Sequence, residues 1–131
     1  MRLVTDGETV AHFVADRTGV DAFQAPYQAF GWANDAGEIL GGAVFNNWNG
    51  ANVELSVAGR GVVSRQAFKD IAEYCFGQLG LRRITMHTRA SNIRLIDQAV
   101  RAGFAREGFR KGWFLDDDAV ALVMLRTHCP W

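Results

Sequence analysis

The strongest constraint in this sequence is a change of period near its middle. Val53 to Val57 alternates apolar and polar residues. Phe68, Ile71, Ala72, Cys75 and Leu79 then recur at helical spacing, and Ile84, Met86 and Thr88 return to alternation. A strand, a helix and a second strand in that order leave room for a right-handed crossover, which makes the two strands parallel. Upstream the pattern differs. Gln28 to Ala33 and Ile39 to Phe45 read as strands, with turn chemistry at Asn34-Asp-Ala-Gly37 and Asn49-Gly50, so residues 28–58 are predicted to form an antiparallel meander.

The flanks complete the pattern. Thr5-Asp-Gly-Glu8 reads as a capping box ahead of a short helix ending near Gly19. Ser64 is the expected cap of the central helix and Gly80 its stop. Ser91 or Asn92 opens another helix that runs to Gly103, and strands are expected over 104–109 and 119–126. The fold class is therefore α/β (α+β): a mixed, mostly antiparallel sheet of six to seven strands, flanked by helices on both faces, with a central β-α-β crossover. One domain is expected over residues 1–131, since 131 residues with 49% hydrophobic content suffice for one core.

Charge narrows the partners. Fourteen Lys+Arg balance fourteen Asp+Glu, which disfavours a uniformly basic nucleic-acid coat or a polybasic membrane tail. No apolar run reaches the roughly 18 residues a membrane span needs, and the first residues lack a signal-peptide stretch, so a cytoplasmic location is expected. Cys75 and Cys129 show no metal-binding spacing, and His128-Cys129 lacks two further ligands, so no metal is expected. The balance is uneven along the chain, however: residues 61–111 hold ten basic and four acidic side chains. Arg89, Arg94, Arg101 and Arg106 in that block keep a nucleic-acid-directed or aminoacyl-tRNA-directed role open.

Ligands of open α/β sheets sit at the carboxyl ends of parallel strands beside a helix N-terminus, here Ala58 to Arg65. Gly59 and Gly61 permit close backbone approach, and Arg60 and Arg65 bracket the turn, so a phosphate could meet both amides and guanidinium groups. A plain strand-to-helix turn with exposed arginines is the competing reading. His87 reads as a packed or surface histidine, Cys75 as core, and Asp116-Asp-Asp118 as a solvated loop. Trp32, Trp48, Tyr27 and Phe45 either line a pocket or cover the sheet, and exposed Trp48 and Trp131 would suit a homodimer.

The chain resembles the GCN5-related N-acetyltransferases over about residues 28–126. The resemblance rests on the element order, the loop at 59–65, and the stretch Leu79-Gly-Leu-Arg-Arg-Ile84, Thr88-Arg-Ala-Ser-Asn92 and Ala102-Gly-Phe-Ala-Arg-Glu-Gly-Phe-Arg110. In that family an Asn begins the helix after the fifth strand, a Gly-Phe pair closes it, and Glu-Gly follows shortly. Asn92, Gly103, Phe104, Glu107 and Gly108 fall on those positions. Within the family it looks most like the subgroup that acetylates ribosomal-protein N-termini. It also looks like small phage- or prophage-associated members that end, as here, in Met124-Leu-Arg126 and a terminal aromatic, Trp131.

The resemblance implies acetyl-coenzyme A as cosubstrate and direct acetyl transfer to a primary amine: a protein N-terminus, a lysine or a small amine. The pyrophosphate would sit on Gly59, Arg60, Gly61, Val62, Val63, Ser64 and Arg65. The pantetheine would add like a strand beside Val57, in a splay between the third meander strand and the strand at 83–89, and Asn92 would contact it. This sequence departs from the family's loop by placing Val63 and Arg65 where small residues are usual, with Arg65 able to touch phosphate itself. It departs again at Ala99, where many members carry a tyrosine acid. Glu54, the only acid on its strand, is the candidate base, Ser56 on the same face could carry a relaying water, and an amide near Val57 could stabilise the developing oxyanion. A catalytically degenerate coenzyme A-binding module is the alternative that the altered loop and absent tyrosine motivate.

Overall fold

The two periods resolve into strands and helices in the expected alternation. The computed structural model describes residues 1–62 and 64–131, in the order β1 (Arg2–Val4), α1 (Gly7–Thr18), β2 (Tyr27–Ala33), β3 (Ile39–Asn46), β4 (Asn52–Ala58), α2 (Arg65–Ala72), β5 (Arg83–Arg89), α3 (Ile93–Arg101), β6 (Ala105–Arg110) and β7 (Ala119–Leu125). A short 3-10 turn, Arg60–Val62, joins β4 to the region of α2, and α2 runs on into a π-helical turn, Glu73–Gln78. The seven strands form one mixed sheet in the order β1-β2-β3-β4-β5-β7-β6. Every neighbouring pair is antiparallel except β4 and β5, whose parallel pairing is the crossover expected from the sequence.

Alternation decides which side of the sheet each residue serves. Val53, Leu55 and Val57 on β4 and Ile84, Met86 and Thr88 on β5 are buried, while the residues between them are half exposed. The buried set meets α2 and α3 through Phe68, Ile71, Cys75, Ile96 and Ala99, in a core that also holds Trp32, Phe45, Leu122 and Met124. The opposite face is covered by α1 alone, whose Val10, Ala11 and Val14 pack on Val44, Ala29 and Ala58. That cover reaches β2, β3 and β4, and the last residue of α1, Thr18, accepts from Arg89 of β5 at 2.9 Å.

Three expectations need correction. Asp6, not Thr5, caps α1, accepting from the Thr9 amide at 3.3 Å, because Arg2–Val4 forms an edge strand and leaves Thr5 as connector. β1 itself was illegible: three residues are too few for a period. Leu79 leaves the core at 38% exposure, because the π turn, with its Leu79 to Tyr74 backbone bond of 3.0 Å, shifts the register of the helix end. Trp48 is half-buried rather than exposed, whereas Trp131 is exposed as expected. Trp48 packs against the core, and Trp131 stacks on Phe68 at 6.2 Å while its Nε1 donates to the Ala102 carbonyl at 2.9 Å.

The turn after β4 is seated on β3 by backbone contact. Gly59 has φ +89°, and a Cβ there would strike the Leu40 carbonyl oxygen and lie 2.8 Å from Gly41 Cα; a Cβ on Gly41 would lie 2.6 Å from the Val62 nitrogen. Only glycine satisfies both the dihedral and the space. Gly59→Ala is therefore expected to destabilise the protein by at least about 1–3 kcal/mol in urea unfolding, the scale of a non-glycine residue forced to positive φ plus a clash. Gly50→Ala is the control: it shares φ +89° but has nothing within 4 Å, so it should cost less.

Candidate active site

The parallel ladder stops before its strands do. β4 and β5 pair from Asn52 opposite Arg83 to Leu55 opposite Met86, yet β4 runs to Ala58 and β5 to Arg89. Each stays held on its outer side, with Ala58 opposite Gly42 and Arg89 opposite Ala119. The two strands thus splay at their carboxyl ends, and the edges facing each other over 56–58 and 87–89 carry backbone groups without ladder partners across the gap. A cavity of about 560 Å³ occupies the splay.

Strand alternation divides this cavity into two compartments. On the α2 and α3 side lie Leu55, Val57 and Thr88, with Val62, Leu95 and Gln98. On the α1 side lie Glu54, Ser56, His87 and Arg89, with Trp113 and Phe114. The first compartment borders the turn Arg60–Val62 and the start of α3. The second is bordered by Arg17 and Thr18 at the end of α1.

The residues singled out from sequence fall in three groups. Glu54, Ser56, Val57, Gly59, Arg60, Val62 and Asn92 line the cavity. Gly61, Ser64 and Arg65 are not among its lining residues. Gly61 is buried against Leu40; Ser64 caps α2 by accepting from the Ala67 amide at 3.1 Å; and the exposed Arg65 guanidinium lies 5.7 Å from the Trp131 ring. Val63 lies outside the described residues. Asn92 is also a cap, its Oδ1 accepting from the Leu95 amide at 3.3 Å, which fixes the first turn of α3 at the cavity.

The electrostatics favour an anion. Arg17, Arg60, Arg89 and Arg94 line the cavity, and Glu54 is the one carboxylate among the lining residues. Arg89 is committed, to Asp116 at 3.2 Å and to the Thr18 carbonyl at 2.9 Å, and Arg17 lies over Phe13 at 3.6 Å. Arg60 and Arg94 have no ion-pair partner among the described residues. Two guanidinium groups beside the start of α3 are a setting for phosphate. Glu54 is steadied from a different direction, its Oε2 accepting from Asn47 Nδ2 at 2.7 Å.

His87 was set aside in the sequence and turns out to face the cavity. Its ring stacks on Trp113 at 4.8 Å, and its Nε2 accepts from Arg110 Nε at 3.3 Å. Burial pushes its pKa below the ordinary value; the Glu54 and Glu107 carboxylates oppose that shift, and Arg110 adds to it. Only the pairing register could have revealed the placement, since Glu54 opposite Thr85 puts His87 level with Ser56. The Asp116 to Asp118 turn is likewise more than solvated loop. Asp117 accepts from the Ser91 amide at 3.0 Å and Asp118 from the Gly112 amide at 2.7 Å, and with the Asp116 ion pair they hold the segment bearing Trp113 and Phe114.

Other candidates belong to the scaffold. Trp32 is fully buried and donates Nε1 to Asp70 at 2.9 Å; Phe45 is core, and Tyr27 and Trp48 are not among the cavity's lining residues. Cys75 is core as expected, and burial pushes its thiol up to about 12. Among the described residues no group of three or more His, Cys, Asp and Glu could hold a metal ion, and no helix is long and apolar enough to cross a membrane.

No protein-family model matches the sequence, and no curated protein sequence matches it significantly. Solved structures do match. A spermidine N-acetyltransferase from Vibrio cholerae in complex with CoA and spermine superposes with a TM-score of 0.78 at 13% identity, over 97% of this chain and 96% of that one. The spermidine/spermine N-acetyltransferase SpeG from Vibrio cholerae, in complex with manganese ions, gives a TM-score of 0.68 at 18% identity, over 79% of this chain and 68% of that one. At such identity the likeness is one of fold. The fold is that of the GCN5-related N-acetyltransferases: a mixed, mostly antiparallel sheet flanked by helices, as the sequence pattern predicts.

His87 makes the site pH-sensitive in a defined direction. Its folded pKa lies below the unfolded value, so between the two the unfolded chain binds more protons and stability rises with pH. Acidification below the ordinary histidine value of about 6.5 should therefore lower the free energy of unfolding, and His87→Gln should flatten that part of the profile. Urea titrations from neutral to mildly acid pH check it; an unchanged slope in the variant would contradict the assignment.

Proposed function

We propose that this chain is an acetyl-coenzyme A-dependent N-acetyltransferase that moves acetyl directly to a primary amine. The single observation that carries the reading is the β4/β5 ladder, which opens after Leu55 and Met86 into a cavity bordered by a glycine-seated turn and the capped start of α3. Unpaired strand edges can hydrogen-bond the amides of a pantetheine arm as they would an added strand. The amides of the turn and of α2's first residues, with Arg60 and Arg94, suit its phosphates. The likeness to a spermidine N-acetyltransferase in complex with CoA supports the same assignment. Arg65 contributes through its backbone rather than its guanidinium, which is directed at Trp131.

The chemistry asks for few groups. The amine nitrogen attacks the thioester carbonyl carbon, the carbon–sulfur bond breaks, and the proton released from nitrogen passes to a base. We assign that base to Glu54, directly or through a water on Ser56, which shares its face two residues along. An amide of β4 near Val57 stabilises the carbonyl oxygen as charge develops. Buried Cys75 offers no thiolate for a covalent route. The reading extends to one domain over residues 1–131 working in the cytoplasm on a protein N-terminus, a lysine or a small amine. Ribosomal-protein N-termini and phage-associated acceptors are special cases, and nucleic acid is not required. The fully buried Ala99, where relatives with a tyrosine acid would carry it, favours the coenzyme A-binding module without turnover as the second reading.

Coenzyme A in a hundredfold excess over Kd should add about 2.7 kcal/mol to stability and raise Tm by several degrees. Arg60→Glu should abolish the rise. Glu54→Gln should keep the rise and lower kcat about 100-fold or more. No rise at millimolar coenzyme A would sink the cofactor assignment. A rise without turnover on a broad panel of amines and peptides would select the binding module.

A further inference from the structure

The α1-side compartment has a composition that the transfer chemistry alone does not require. Glu54 is its one lining carboxylate. Of the carboxylates around it, Glu107 pairs with Arg83 at 2.6 Å and Asp116 with Arg89 at 3.2 Å, while Asp117 and Asp118 accept from the Ser91 and Gly112 amides. Cations crowd the same side, with Arg17 and Arg89 in the lining and Arg110 on His87. One ammonium group finds a counter-charge here. A second or third finds no further carboxylate among the lining residues, and Arg17 is a like charge there.

The remaining wall is aromatic and preformed. Trp113 is 51% exposed although its ring stacks on His87, and Phe114 lies beside it under the Arg89 guanidinium at 4.5 Å. Val20 adds an exposed apolar surface at the α1 end. The Phe114 amide donates to the Asp117 carbonyl at 3.0 Å, and Asp117 and Asp118 accept from the Ser91 and Gly112 amides. The rings are thus held in place before any substrate arrives, so contact with them costs little ordering. The cavity of about 560 Å³ must also admit the thioester end of the cosubstrate, which leaves room for a small body only.

We infer that the acceptor is a small monoamine with an aromatic or bulky apolar body, its single nitrogen at Glu54 and its body against Trp113 and Phe114. This rests on the acetyltransferase reading of the same cavity. It sets this chain apart from the polyamine-directed enzymes whose fold it shares.

The test compares initial rates at saturating acetyl-coenzyme A for phenethylamine, spermidine and a short peptide with a free N-terminus. The expected result is a kcat/KM for phenethylamine at least about tenfold above either of the others. Trp113→Ala should raise KM for phenethylamine about tenfold, the upper range for one aromatic contact, and leave the Kd for coenzyme A unchanged by calorimetry. Trp113→Phe should restore most of the loss, separating contact from folding. Faster turnover of spermidine or the peptide, or an unmoved KM in Trp113→Ala, would overturn the inference and leave the acetyltransferase reading standing. Failure to bind coenzyme A would remove both.

Discussion

Everything of functional interest here depends on one parallel strand pair that is allowed to come apart. β4 and β5 are the single parallel neighbours in an otherwise antiparallel sheet, so a crossover must join them, and α2 is that crossover. The crossover delivers a helix start to the carboxyl ends of the strands, the place where backbone amides point outward. The strands separate there because each is held from outside, β4 by β3 and β5 by β7, to its last residues. The gap is therefore not a loosened region. It is a wedge between two half-sheets, each with a complete outer ladder.

The same geometry explains why two chemistries meet without mixing. Alternation along β4 and β5 sends Val57 and Thr88 to one side and Glu54, Ser56 and His87 to the other. One compartment sees the start of α3 and two arginines without ion-pair partners among the described residues, Arg60 and Arg94. The other sees a carboxylate, an imidazole and two aromatic rings. The positive block of residues 61–111 is accordingly not one surface. Arg83 pairs with Glu107, Arg89 with Asp116, Arg110 meets His87 and Trp113, and Arg65 covers Trp131. Such dispersal fits local roles better than a track for a polyanion, which needs its cations on one face.

Legibility in the sequence followed the range of the interactions. The crossover, the meander, both helix caps at Ser64 and Asn92, and the cavity-facing residues of β4 were readable because each depends on period or on neighbours a few positions away. What escaped depends on pairing between distant segments. β1 exists because Arg2 to Val4 meets Gly31 to Ala33, and the role of the Asp116 to Asp118 turn depends on Ser91 and Arg89, more than twenty residues back. Arg65 reads as a phosphate ligand because it borders the turn; that its exposed guanidinium lies 5.7 Å from the Trp131 ring depends on a residue 66 positions away. His87 looked ordinary because alternation gives a face but not the company on that face.

That last case carries a general consequence for sites built on splayed strands. A residue beyond the end of the ladder can offer its backbone as well as its side chain to the cavity, and the ladder's end is set by the outer neighbours rather than by β4 or β5 themselves. Here the last bonded pair is Leu55 with Met86, so His87 is the first β5 residue past the opening, and Ser56 the first on β4. Glu54 and Leu55 line the cavity from inside the ladder, beside Ser56 and Val57 beyond it. The Glu54 carboxylate and the His87 imidazole share one face across that boundary and interact electrostatically. The polar character of the site is thus a matter of register: the outer pairings of Ala58 with Gly42 and Arg89 with Ala119 determine where the wedge begins, and with it which side chains meet.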